Sequence, residues 1–129
     1  MTLSSIKETC LYVKDLEKCF HFYHDLLNLE LISRVEGRHV FFRLGDGVLL
    51  CFDPDVTANE TRLPPHYASG KQHIAFEVSA EDYDPWKRRI NNHGIAIIHE
   101  EFWRDGINSF YFEDPDGNVL EIVQPGLWD

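Results

Sequence analysis

The chain of 129 residues contains little cysteine and no long apolar segment. Its three cysteines, Cys10, Cys19 and Cys51, form no closely spaced pair, which is typical of reduced thiols in a cytoplasmic protein rather than of a disulfide framework. No apolar run approaches the ~20 residues of a membrane-spanning helix. The N-terminus also lacks the apolar core of a signal peptide. These absences predict a cytoplasmic protein that is not inserted in a membrane.

Positive charge is also scarce, because 12 lysines and arginines stand against 22 aspartates and glutamates, for a net charge of −10. Nucleic-acid binding needs a basic surface, and so does docking on an anionic membrane. Neither function is therefore expected of this chain. Hydrophobic residues make up 43% of the chain. That content and the length favour one folded domain, 1–129.

The segment from Asn108 to Gln124 has the pattern of a β-hairpin. An aromatic strand leads into the turn sequence Asp-Pro-Asp-Gly-Asn, and a second strand, Val119 to Val123, follows. Within that strand Glu121 shares a face with Val119 and Val123, because side chains alternate along a strand. A carboxylate in such apolar surroundings is costly unless it is paired, solvated or bound to a metal. The alternative is an exposed glutamate on a half-solvated strand.

The order of predicted elements occurs twice. Each half reads as a strand, a helix and three strands, with Asp15 as the expected N-cap of the first helix. The predicted α+β fold therefore has two βαβββ modules: module one at about 6–53, a linker or lid at 54–70, and module two at about 71–125. One such half cannot bury its sheet alone. The two modules are therefore expected to pair into a curved, half-open mixed sheet around a cleft.

Strand alternation places three candidate metal ligands on the inward side of this sheet. They are Glu8, His73 and Glu121. Two carboxylates and an imidazole suit a divalent ion such as Zn, Ni, Mn, Fe or Co. Three protein ligands leave coordination positions open for water and substrate. The alternative is that His73 is an isolated histidine at a strand start and Glu8 an exposed residue near the terminus.

Four segments carry a resemblance to a known family. They are 11–18 (LYVKDLEK), 22–29 (FYHDLLNL), 73–76 (HIAF) and 111–121 (YFEDPDGNVLE). With them the sequence resembles the vicinal oxygen chelate superfamily, which includes glyoxalase I, the fosfomycin-resistance thiol transferases, the extradiol dioxygenases and the bleomycin-resistance proteins. The resemblance implies two βαβββ modules whose first and last strands supply the metal ligands.

Carried over by position, the ligand positions of the family are Glu8, Cys51, His73 and Glu121. Glu8 stands where members usually have histidine or glutamine, and Cys51 where glyoxalase I has glutamate. Three-ligand members such as the dioxygenases and thiol transferases leave the Cys51 position uncoordinated. Cys51 is therefore expected to be a neutral wall residue of the cleft, and the alternative is a thiolate ligand that favours zinc.

The resemblance implies a divalent-metal-dependent lyase, transferase or dioxygenase that acts on a small oxygenated substrate. The metal would stabilise an enolate or oxyanion, with Glu8 or Glu121 as the catalytic base. The alternative is a metal-free protein of the bleomycin-resistance type that sequesters a small molecule. Further substrate contacts are expected beside the cleft from Tyr12, Arg38, His39, Trp103 and Arg104. A homodimer is also expected, since single chains of the family often pair and open sheet edges need covering.

Overall fold

Each half of the chain folds as a strand, a helix and three further strands, in the order that the repeat predicted. The computed structural model describes residues 1–129, which divide into two units, Met1–Gly70 and Lys71–Asp129. Each unit contains one four-stranded mixed sheet. The predicted α+β fold of two βαβββ modules is therefore confirmed. No helix combines the length and the apolar character needed to cross a membrane.

The first unit has a sheet of strand order β1-β4-β3-β2, in which β1 is parallel to β4 and the other pairs are antiparallel. Its elements are β1 (Glu8–Tyr12), α1 (Leu16–Phe20) with a π-helical continuation (His21–Leu26), β2 (Glu30–Val35), β3 (His39–Leu44), β4 (Gly47–Phe52) and the one-turn α2 (Pro54–Thr57).

The first helix begins where the sequence predicts, because the side chain of Asp15 accepts a hydrogen bond from the backbone N–H of Lys18 at 3.0 Å. It differs from the prediction in its last turns, which widen into a π-helix. Asn28 then takes a φ of 60°, the left-handed conformation that ends the helix. The buried side of the helix carries Cys19 and Tyr23 onto the sheet.

The second unit repeats this arrangement with strand order β5-β8-β7-β6, and β5 is parallel to β8. Its elements are β5 (His73–Glu77), α3 (Tyr83–Asn92), β6 (His99–Phe102), a 3₁₀ turn (Arg104–Gly106), β7 (Asn108–Glu113) and β8 (Val119–Val123). A turn from Ser79 to Asp82, closed by its own hydrogen bonds, precedes α3.

Side-chain alternation is confirmed for β1, β5 and β8. Leu11, Leu120 and Ile122 are at most 2% exposed on the core side of their sheets. Register places His73 and Glu121 together on the opposite side, since His73 pairs with Val119 and Ala75 with Glu121.

The prediction that Cys51 faces the cleft is wrong. Cys51 pairs with Leu11 on one side and Val40 on the other, and it is fully buried with them on the core face. The β3–β4 turn consists of Gly45 and Asp46 alone, so β4 begins at Gly47. That shift of one residue exchanges the two faces of the strand.

Leu50 therefore occupies the position of Glu121 in the repeat. It pairs with Cys10 and Phe41, as Glu121 pairs with Ala75 and Tyr111. A leucine side chain cannot coordinate a metal. The first unit thus offers no ligand from β4, either through Cys51 or through its neighbour.

Cys51→Ala is expected to lower the free energy of unfolding by about 1 kcal/mol, because it leaves a small cavity in the core. Metal content is expected to stay at the wild-type level. Urea unfolding and elemental analysis of the same preparations measure both quantities. Loss of metal without loss of stability would show that the Cys51 thiol is a metal ligand.

Candidate functional site

The parallel pairing of β5 with β8 brings His73 and Glu121 together at the surface of the second sheet. His73 begins β5 opposite Val119, and Glu121 lies two residues further along β8 on the same face. The ring Nε2 of His73 is 3.4 Å from Oε2 of Glu121. Two of the three predicted ligands are therefore neighbours, through backbone pairing alone.

The imidazole of His73 is held in one tautomer. Its Nδ1 lies 2.9 Å from the carbonyl oxygen of Val119. A carbonyl can only accept, so Nδ1 carries a proton and Nε2 is the ring nitrogen that faces Glu121. Histidine ligands of metals typically have this arrangement, in which a backbone carbonyl orients the ring through the other nitrogen.

Glu121 is only 5% exposed, and its Oε1 has no hydrogen-bond partner. A buried carboxylate oxygen without a partner is costly, and a cation bound beside it would remove that cost. The exposed Nε2 of His73 and this carboxylate therefore fit a divalent metal. No three His, Cys, Asp or Glu side chains form a group able to hold a metal ion. The complete set of Glu8, His73 and Glu121 stays a prediction.

Tyr111 is a site residue that the sequence reasoning missed. It lies directly opposite Glu121 in the β7–β8 hairpin, and its ring stacks near that of His73 with centroids 6.0 Å apart. Burial raises the pKa of the Tyr111 phenol, a hydrogen bond with Ser109 opposes this rise, and a hydrogen bond with Glu121 adds to it. The phenol thus stays protonated, and strand pairing places it on the same face of the hairpin as the Glu121 carboxylate. The signal was available in the hairpin register, which places the two residues face to face.

The predicted contacts Trp103 and Arg104 have separate roles. The indole Nε1 of Trp103 donates to Oγ of the buried Ser109 at 2.9 Å, next to Tyr111. Trp103 is therefore anchored to β7, the strand that also carries Tyr111. Arg104 instead donates to the carbonyl of Leu127 at 2.9 Å and fastens the C-terminal segment. The role of Arg104 as a substrate contact stays a prediction.

The first unit contains a cavity of about 480 Å³ on the exposed face of its sheet. Glu8, Tyr12 and Arg38, all predicted as site residues, line it. The hydroxyl of Tyr12 is 2.6 Å from Nδ1 of His66, which belongs to the segment between the two sheets. Part of the predicted linker therefore forms a wall of this cavity.

His39 is the second correction among the substrate contacts. It is 6% exposed, its ring stacks on Phe41, and Nε2 is 3.0 Å from Oγ of Ser33. Nη1 of Arg38 donates to Nδ1 at 2.5 Å. Burial, and secondarily the charge of Arg38, lower the pKa of His39, so the ring is a neutral acceptor. Its role is to hold Arg38 in place rather than to touch substrate.

Known proteins share this sequence and this fold. The chain is 33% identical to the glutathione transferase FosA of Serratia marcescens over 123 residues, 93% of this chain and 80% of that protein. It is 27% identical to the metallothiol transferase FosB of Staphylococcus saprophyticus, over 98% of this chain and 81% of that protein. The crystal structure of a lactoylglutathione lyase from Agrobacterium tumefaciens superposes with a TM-score of 0.94 at 35% identity, covering 98% of each chain.

These relatives confirm the prediction of a metal-dependent enzyme, a transferase or a lyase, that acts on a small molecule. The family profile itself spans nearly the whole chain, and it includes Glu8, His73 and Glu121. With residues 5–122 matched, the chain belongs to the Glyoxalase/Bleomycin resistance protein/Dioxygenase superfamily.

Proposed function

We propose that this protein is a metal-dependent thiol transferase. It forms a bond between the sulfur of a thiol and an oxygen-bearing carbon of a small electrophile. Relatives that cover most of its length are named as glutathione and metallothiol transferases. The similarity to a lactoylglutathione lyase supports a second candidate, the lyase reaction.

Leu50 is the observation that favours the transferase. It occupies the position in the first unit that corresponds to Glu121 in the second. By the family resemblance, glyoxalase I has glutamate as the ligand from this part of the fold. The three-ligand members, among them the thiol transferases, have no ligand there. A leucine at this position supports a site of three ligands with an apolar wall beside it.

We assign Glu8, His73 and Glu121 as the ligands of a divalent ion whose identity is open among Zn, Ni, Mn, Fe and Co. The ion would act as a Lewis acid on the substrate oxygen. Glu8, which is exposed, accepts the thiol proton. The sulfur then bonds to carbon as the carbon–oxygen bond breaks, and the released oxygen takes up the proton. Tyr111, which lies directly opposite Glu121 in the hairpin, would orient the Glu121 carboxylate.

Tyr111→Phe is expected to lower kcat by about tenfold or more, because the site loses the protonated phenol that lies opposite Glu121 and beside His73. Metal content should fall far less than kcat. Steady-state kinetics with elemental analysis measure both, and Tyr67→Phe, an exposed tyrosine, is the control. Unchanged kcat in Tyr111→Phe would exclude the phenol from the site.

The proposal is tested by loading the purified protein with each metal and supplying glutathione with fosfomycin or a small neutral epoxide. Mass spectrometry detects the thiol adduct. Parallel assays with the hemithioacetal of glutathione and methylglyoxal test the lyase reaction. Adduct formation that requires metal supports the transferase. Lyase turnover without any adduct overturns it in favour of the second candidate, and stoichiometric binding without metal or turnover favours a sequestering protein.

We also propose that two copies of the chain form a homodimer in the cytoplasm, where the three cysteines stay unpaired. The exposed strand β2 and the exposed Phe102 at the end of β6 are edges that a second copy would cover. The segment 54–70 is long enough for modules to be exchanged between chains. Light scattering should give the mass of a dimer, and a monomer mass at micromolar concentration would contradict the proposal.

Exchange of modules has its own signature. If each site takes Glu8 from one chain and His73 with Glu121 from the other, mixing Glu8→Ala with His73→Ala protein restores up to about one quarter of the sites. The mixture is refolded together so that chains can pair. Dimers without exchange would recover no metal at all.

A further inference from the structure

The cavity of the first unit is charged differently at its two ends. Glu8 begins β1 and Tyr12 ends it, so they lie about 13 Å apart at about 3.3 Å per residue. Strand pairing places Phe52 beside Tyr12 and Val48 beside Glu8. The acidic end is therefore the Glu8 end, and the opposite end is built around Tyr12 and Phe52.

The guanidinium of Arg38 lies at the Tyr12 end, with its Cζ 5.6 Å from the centroid of the Phe52 ring. Nη1 donates to His39 at 2.5 Å and Nη2 donates to Glu60 at 3.2 Å. These contacts use two of the five donors of an arginine, and they hold the group in one orientation before any ligand arrives. On the same side, the ring centroids of His66 and Phe52 lie 4.8 Å apart.

The Tyr12 end of the cavity has a positive net charge, although the net charge of the whole chain is −10. The hydrogen bond from Arg38 lowers the pKa of Glu60, so this pair stays ionised and nearly cancels. Arg62 also lines the cavity, and its backbone N–H is bonded to the Glu60 carboxylate, so it adds a second cation at this end. A surplus of about one positive charge suits a singly charged carboxylate better than a doubly charged phosphate.

The wall between the two ends is apolar. Phe41, Leu50 and Leu63 line it, together with the ring of Phe52. Apolar walls with a few fixed polar groups are typical of small-molecule sites, and about 480 Å³ is within their usual size.

We propose that this cavity binds an elongated organic anion, with its carboxylate at the Arg38 and Arg62 end and its apolar body along Phe41 and Leu50. The reacting group of such a molecule would lie at the Glu8 end. As a statement about substrate this rests on the proposed function, in which Glu8 is a metal ligand. Binding of the anion itself depends only on the first unit.

The test uses metal-free protein and two probes of equal shape, naphthalene-2-carboxylate and naphthalene-2-carboxamide, in isothermal titration. The carboxylate is expected to bind at least about tenfold more tightly, since only it forms charge-assisted hydrogen bonds. Arg62→Gln should remove most of this preference. Arg38→Gln should do the same, and far-ultraviolet circular dichroism checks its fold because Arg38 also contacts His39 and Glu60.

Arg88→Gln is the matched control, because it removes one positive charge from an exposed position on α3 that does not line the cavity. Equal affinity for both probes, no binding of the carboxylate at millimolar concentration, or the same loss in Arg88→Gln as in Arg62→Gln would each overturn the proposal. Because metal is absent, these results do not depend on the transferase reaction. Intact carboxylate binding in a protein without transferase activity would refute the proposed function alone.

Discussion

His73→Ala and Glu121→Ala are each expected to weaken metal binding by at least about a hundredfold and to leave the fold intact. Each change removes one of three proposed ligands, and neither removes a side chain from the apolar face of the sheet. His73 is exposed at the start of β5, and the carboxylate of Glu121 faces away from Leu120 and Ile122. Elemental analysis of protein purified without a histidine tag measures the metal, and thermal unfolding measures the fold.

Glu77→Ala is the control for this prediction, because Glu77 is an exposed carboxylate on the same face of β5. It should keep wild-type metal content. Metal-free Glu121→Ala should be no less stable than the metal-free parent, since it removes a buried oxygen without a partner. Wild-type metal stoichiometry in both the His73 and the Glu121 variants would show that the site lies elsewhere.

Asp114→Ala is expected to lower the free energy of unfolding by about 3 kcal/mol. The buried carboxylate of Asp114 accepts three hydrogen bonds, from the backbone N–H groups of Asp116 and Asn118 and from Nδ2 of Asn118, each at 2.9 Å. Alanine leaves these three donors without their acceptor in the turn that joins β7 to β8.

The same change is expected to weaken metal binding, although Asp114 is not a ligand. Asn118 also accepts a hydrogen bond from the backbone N–H of Gln72 at 3.1 Å, immediately before His73. The turn therefore sets the position of β5 against β8, and with it the approach of His73 to Glu121. Denaturant unfolding and metal titration measure the two effects. Asp46→Ala, in the exposed turn between β3 and β4, is the control, and equal stability of the two variants would refute the role of Asp114.

The sequence by itself determined the order of elements, the first helix cap at Asp15 and the hairpin that carries Glu121. These features depend on contacts within a few residues, so their residues predict them directly. It also determined that His73 and Glu121 share a face. Both strands are short, β5 alternates between more and less exposed residues, and Glu121 is the one charged residue of β8, which marks the face opposite Leu120 and Ile122.

Only the tertiary structure decided the face of Cys51. The run from Val48 to Phe52 is apolar at every position, so alternation carries no signal there. Register then depends on whether the turn takes two residues or three, and Gly45-Asp46-Gly47 permits either choice. Pairing with β1 and β3 selects the two-residue turn, which places Leu50 beside Cys10 and buries Cys51.

The tertiary structure also decided which polar residues meet. Tyr111 reaches Glu121 across a hairpin, His66 reaches Tyr12 from 54 positions away, and His39 is buried beneath Arg38. Contacts of this kind join segments whose local patterns are independent of one another. Burial and strand pairing bring these residues together, because each sheet must cover its apolar face. The periodicity within a single segment therefore cannot predict which residues come into contact.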